Sequence, residues 1–166
     1  AMEPENNVLH GYLSYAYLAA GRLPEAFEPW ERSIHGGPRG LVRDIDVPQW
    51  TPADVDARVL VYREQGVGDE IMMASLYPDL IEAARDVVIE CDRRLVPLFA
   101  RSFPGAEVRA QTHNELRVES MHDYDRAIPA GGLIRYFRPD IGAFPDRRSF
   151  LVADPANGNK INFPAM

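Results

Sequence analysis

The stretch Arg58-Val59-Leu60-Val61-Tyr62-Arg63-Glu64-Gln65-Gly66-Val67-Gly68-Asp69-Glu70 decides the fold. Residues 59–62 form a short apolar run with β-branched members, which reads as a buried strand. Residues 64–69 carry two glycines and read as a loop. Over residues 70–85 the apolar positions Ile71, Met72, Met73, Leu76, Leu80, Ile81 and Ala84 return with helical spacing. Pro78 marks a kink or a second start in that helix. The alternation then repeats. Residues 87–91 predict a second strand, and residues 93–103 a second helix stopped by Pro104-Gly105. Residues 107–109 predict a third strand and residues 124–128 a fourth. Pro129-Ala130-Gly131-Gly132 follows as a loop, then a helical stretch at 133–137. Ser149-Phe150-Leu151-Val152 reads as a last short strand or an extended arm. Strand, helix, strand, helix, strand is the signature of an α/β fold with a parallel sheet and right-handed crossovers.

Upstream of this zone the period is helical throughout. Residues 6–20 predict one helix and residues 24–35 another, separated by Gly21-Arg22-Leu23-Pro24 and closed by Gly36-Gly37-Pro38. Such a pair forms a helical hairpin. Its spacing resembles the tetratricopeptide repeat, a helical pair of about 34 residues. Leu13, Tyr17, Gly21, Ala26, Trp30 and Pro38 fall on positions of that pattern, and Ser14 and Ser33 supply small side chains where the helices approach. His10 departs from the large aromatic of the opening position, and a generic hairpin is the plain alternative. A single repeat cannot bury both of its faces, so it must lean on another unit. Residues 41–57 carry Pro48 and Pro52 and form a connector in which Trp50 is a candidate anchor. The expected organisation is therefore a hairpin at 1–40, a connector at 41–57 and an α/β domain at 58–166.

Composition excludes several classes. Lys and Arg total 18 against 25 Asp and Glu, a formal net charge of −7. An acidic chain is a poor match for a nucleic-acid backbone, whose recognition needs a basic face. No apolar run approaches the ~20 residues needed to span a bilayer. One cysteine cannot form an internal disulfide, which fits a reducing compartment, and a cytoplasmic location is expected. Ala1-Met2 looks like a cloning remnant and Asn162-Phe163-Pro164-Ala165-Met166 gives no capping signal, so a longer parent polypeptide is expected.

The glycine loop admits three readings. Ligands of open parallel sheets bind beyond the carboxyl ends of the strands, where this loop lies. Gly66 and Gly68 permit positive φ and close backbone approach. Read as a dinucleotide fingerprint, Gly66-Val67-Gly68-Asp69-Glu70-Ile71 lacks the third glycine and places a carboxylate beside a pyrophosphate, although Glu90 stands where a ribose-binding acid is expected. A P-loop is excluded because no Gly-Lys-Ser/Thr follows. Read structurally, Asp69 caps the next helix.

The third reading rests on resemblance. The run from Arg63 through Gly66-Val67-Gly68-Asp69-Glu70 to Met72 resembles bacterial glycosyltransferase-like proteins that carry tetratricopeptide repeats, relatives of the heptosyltransferases. The likeness continues through Val87-Val88-Ile89-Glu90-Cys91-Asp92 and Phe103-Pro104-Gly105. It extends to Ile128-Pro129-Ala130-Gly131-Gly132-Leu133 and Phe150-Leu151-Val152-Ala153-Asp154-Pro155. The resemblance implies a GT-B architecture of two Rossmann-like halves with a cleft between them, of which this chain supplies the first, acceptor-side half. It implies that Asp69 is the general base, and that Gln65, Gly66, Gly68, Pro129, Gly131 and Gly132 line the acceptor side. A nucleotide-sugar donor is then a partner only where a second half is present, and the chain alone is expected to be inactive. No cofactor and no metal are implied. The alternative is a non-catalytic module for a protein partner or a homodimer.

The remaining candidates have plain readings. His113 and His122 lie nine residues apart in a polar segment without a cysteine or carboxylate motif, a weak basis for a metal site. Cys91 reads as a small core residue, and Met72 and Met73 as core. Arg93 and Arg94 read as a solvated helix start, with a phosphate contact as the alternative. Gln65 either donates to a sugar hydroxyl or closes the loop.

Overall fold

The computed structural model describes residues 6–36, 45–111, 123–147 and 149–156. The chain opens with helices α1 (Asn7–Ala19) and α2 (Leu23–Gly36). Asn6 caps α1 by accepting the N–H groups of Val8 and Leu9 at 3.2 and 3.3 Å. Gly21, at φ 71°, takes the left-handed conformation that ends it. The helices meet where their side chains are small. Ser14 Oγ donates to the Ala26 carbonyl at 3.1 Å, and a Cβ on Gly11 would stand 3.5 Å from that of Ser33.

Four strands follow: β1 (Arg58–Tyr62), β2 (Asp86–Cys91), β3 (Glu107–Ala110) and β4 (Arg126–Pro129). They form one all-parallel sheet in the order β3-β2-β1-β4, flanked by helices, so the chain has the α/β fold its alternation predicts. The helices between and after the strands are α3 (Val67–Met73), α4 (Tyr77–Ala83), α5 (Val96–Ser102) and α6 (Ile134–Phe137).

The strands are buried on both faces, which is why β1 reads as an unbroken apolar run. Val59, Val61, Val87, Ile89 and Ile128 pack in one cluster with Tyr77, Leu80, Phe99, Phe103 and Leu133. Tyr77, Phe99 and Phe103 form a triangle of rings with centroids 5.4 to 5.8 Å apart. The alternate residues Leu60, Val88 and Ala127 pack in a second cluster with Tyr124, Ile45 and Val47. Trp50 is wholly buried, edge to face with Tyr136 and tilted against Phe137, and its backbone N–H donates to the Ala127 carbonyl at 3.0 Å. The described part of the connector is thus pinned along β4.

Several local expectations change. The helix expected over 70–85 is three pieces, because a 3₁₀ turn (Ala74–Leu76) separates α3 from α4. Pro78 sits in the first turn of α4, where its missing N–H costs no helical hydrogen bond. Within α3, Met73 is buried but Met72 faces the other way and is 55% exposed, contrary to its reading as core. The helix expected over 93–103 starts three residues later, since Asp92 holds the Arg94 N–H at 2.9 Å in a turn. Residues 130–133 form a 3₁₀ turn and not an open loop. Residues 149–152 take the extended-arm alternative, with Val152 tied to Ser102 Oγ and to Arg101 Nε, both at 2.9 Å. His113 and His122 lie outside the described residues.

Candidate functional site

The strand order places a topological switch point between β1 and β4: from β1 the chain moves to β2 and β3, then returns to the other side of β1. Crevices at such points bind ligands in open parallel sheets. Two segments leave it, the Glu64-Gln65-Gly66 turn after β1 and the Ala130–Leu133 turn after β4. The helical hairpin lies across this end. Arg135 of α6 pairs with Glu31 of α2 at 3.1 Å, and Tyr15 meets Trp30 edge to face at 6.1 Å.

Between hairpin and sheet runs a groove of about 370 Å³. That lies in the usual range for small-molecule sites, about 300–1,000 Å³. Tyr15, Leu18, Phe27 and Trp30 line it from the hairpin, Asp69, Met72 and Ser75 from the α3 side, and Gly131, Ile134 and Phe144 from the far side. The wall is mainly apolar. Arg138 also lines it, but its guanidinium is engaged by Asp79 at 2.7 Å.

Asp69 reaches the groove from the first turn of α3. The helix begins at Val67, three residues before the start expected at residue 70, so Asp69 is not the capping residue itself. Its Oδ2 reaches back to accept the Gly66 N–H at 3.2 Å. Among the described residues its second oxygen has no partner, and the carboxylate borders the groove. Asp69 therefore both ties back the Gly66 turn and lines the groove.

The glycines act differently from expectation. Neither Gly66 nor Gly68 uses positive φ; Gly66 is extended at φ −74°. A Cβ on Gly68 would meet nothing within 4 Å. Gly131 is constrained: a Cβ there would fall 2.3 Å from Glu64 Oε1 and 2.8 Å from Trp30 Nε1. Gly131 lines the groove, whereas Pro129 and Gly132 are buried behind it and pack together. Gln65 borders a smaller cavity beside Asp69, and its carbonyl accepts from Arg63 at 2.9 Å.

Glu64 is the residue that sequence reasoning passes over. It is only 4% exposed, and its Oε1 accepts the Gly131 N–H at 3.0 Å. Burial pushes its carboxyl up to about 7. The charges of Glu31 and Asp69 add to that rise, while the Gly131 N–H and the Trp30 indole oppose it. Beside it, Arg63 spans Glu70 and Asp92 at 3.0 and 3.3 Å, locking the ends of β1 and β2 together. Arg94 holds the Asp92 carboxyl below the usual range. Glu90, the candidate ribose-binding acid, is buried on β2 and accepts from Arg109 at 3.1 Å. Cys91 is fully buried, and burial pushes its thiol up to about 12, which suits a core residue. No cluster of metal-ligating side chains occurs among the described residues, and no described helix is long and apolar enough to cross a membrane.

No protein-family model matches the chain, and no solved structure matches it. The chain is similar to Protein FlbA of Caulobacter vibrioides, with 32% identity over 158 residues. That similarity covers 84% of this chain and 26% of FlbA, so the chain spans about a quarter of that relative's length.

Proposed function

We propose that this chain is the acceptor-side half of a GT-B-type glycosyltransferase-like protein, transferring a sugar from a nucleotide-activated donor to a hydroxyl. The observation that carries the reading is the Asp69 carboxylate on the wall of a ligand-sized groove at the switch point. A general base must lie within hydrogen-bond reach of the proton it removes. A hydroxyl seated in the groove beside Asp69 meets that demand. Its oxygen attacks the anomeric carbon of the donor as its proton passes to Asp69. The glycosidic bond forms, and the bond from sugar to diphosphate breaks with its electron pair leaving on the phosphate. The donor pocket belongs to a second half, so the chain alone does not turn over.

The test is nucleotide release and sugar transfer by the polypeptide that joins this chain to a donor-binding half, across a panel of nucleotide sugars. Asp69-dependent release supports the reading. Equal turnover by wild type and Asp69→Asn contradicts it.

A second reading has its own observation. Val8, Leu9, Tyr12, Tyr15 and Leu18 are all exposed along α1, an apolar stripe suited to another protein surface. On this reading the hairpin serves a protein partner or self-association. Light scattering that shows only monomer at high concentration would count against self-association.

A further inference from the structure

The groove at the switch point has an uneven chemistry. Most of its wall is hydrocarbon, with Leu18 and Phe27 on the hairpin and Met72 and Phe144 beyond. Met72 and Phe144 are each more than half exposed, apolar surface that nothing among the described residues covers. The polar groups on the wall are nearly all spent within the protein. Ser14 Oγ donates to the Ala26 carbonyl at 3.1 Å, and Ser75 Oγ to the Met72 carbonyl at 2.8 Å. Arg138 is buried, held by Asp79 at 2.7 Å and by the Phe137 carbonyl at 2.6 Å. The Gly131 N–H is taken by Glu64, and the Trp30 indole N–H is buried beyond the reach of a ligand. Two side-chain groups remain, the second oxygen of Asp69 and the Tyr15 hydroxyl. The first belongs to a carboxylate, which only accepts.

That wall restricts what the groove can hold. A saccharide carries a hydroxyl on nearly every carbon. Against this surface most of them would lose water and gain no hydrogen bond in return, which is unfavourable. An anion would meet the Asp69 charge with no free cation on the wall to offset it. A hydrocarbon body instead covers Met72 and Phe144, and a single hydroxyl on it satisfies Asp69.

We propose that the acceptor is a hydrocarbon-bodied alcohol, with one hydroxyl directed at Asp69, and not a saccharide. This deepens the reading of Asp69 as base and rests on it. Tyr15 and Trp30, edge to face at 6.1 Å, offer ring surface to such a body. The apolar wall holds the body by area and shape. Asp69 holds the hydroxyl where its proton is to be removed.

Methionine-methyl NMR of the 166-residue chain reads the groove directly, because two of its five methionines, Met72 and Met73, line it. Met72→Leu and Met73→Leu assign the two signals. The probes are 2-naphthol, its ether 2-methoxynaphthalene, and methyl β-glucoside. 2-Naphthol should shift both signals saturably, at concentrations at least about tenfold below any at which the glucoside does. The ether cannot donate a hydrogen bond, so it should bind at least about threefold more weakly, and Asp69→Ala should close that gap. No saturable shift with 2-naphthol, a glucoside or an ether that binds as well, or a gap that persists in Asp69→Ala each overturns the proposal. The wild-type comparisons decide it alone where Asp69→Ala does not fold. Binding is read here without donor or transfer. Naphthol binding by a chain whose joined form transfers no sugar would remove the transferase reading and keep the ligand class. Asp69-dependent transfer to a saccharide, with no naphthol binding, would remove this inference alone.

Discussion

Glu64 Oε1 accepts the Gly131 N–H at 3.0 Å across 67 residues of sequence, closing the turn after β1 onto the turn after β4. The contact leaves no room for a side chain at position 131. In Gly131→Ala the new Cβ would overlap Glu64 and Trp30, so one of the three elements must move. The expected loss is about 1–3 kcal/mol, the usual cost of overpacking. Chemical denaturation of the variant checks it. Gly68→Ala is the control: its Cβ has open space within α3, and it should leave stability unchanged or raise it by about 0.5–1 kcal/mol.

Glu64 also gives the fold a pH dependence. Burial raises its carboxyl from the ordinary 4.5 to about 7, so the native state binds the proton more tightly than the unfolded chain. The contribution to stability is greatest below pH 4.5. It falls as pH rises from 4.5 towards 7 and is constant above that. The span corresponds to about 3 kcal/mol. Thermal denaturation of wild type and Glu64→Gln between pH 5 and 8 should show the two curves diverging, with the variant gaining on the wild type as pH rises.

Trp50 tests whether the connector belongs to the sheet unit. Its side chain is wholly buried against α6, and Trp50→Ala should cost about 3–5 kcal/mol. Loss of less than 1 kcal/mol, read from urea midpoints, would mean residues 45–50 are not packed as described.

Cys91 should be inert to thiol reagents at neutral pH in the folded protein, because burial and its raised pKa both suppress the thiolate. A single thiol should appear only on unfolding, which an aromatic disulfide reagent with and without denaturant will show.

The fold was legible where burial leaves a local trace. Val59, Leu60 and Val61 are fully buried, so β1 stands out as an uninterrupted apolar run. Sequential strands gave the parallel sheet, but the return of β4 to the far side of β1 depends on pairing over more than 60 residues and leaves no local pattern. Met72 reads as core because it adjoins Ile71 and Met73 in an apolar run, but it stands on the side of α3 that faces the groove. Asp69 is singled out by the resemblance its loop carries, since as a local pattern it reads equally well as a helix cap. Glu64 is not. A Glu after a strand reads as solvated, and its burial is made by Trp30 and Gly131, each more than 30 residues away.

The central claim is that Asp69 removes a proton from a ligand hydroxyl held in the groove. The most direct measurement is kcat and acceptor KM for Asp69→Asn in the polypeptide that unites this chain with a donor-binding half. Asn keeps the shape and can still accept the Gly66 N–H, so binding should survive. The account predicts a fall in kcat of about 10²-fold or more with acceptor KM nearly unchanged. Wild-type kcat in that variant would contradict it.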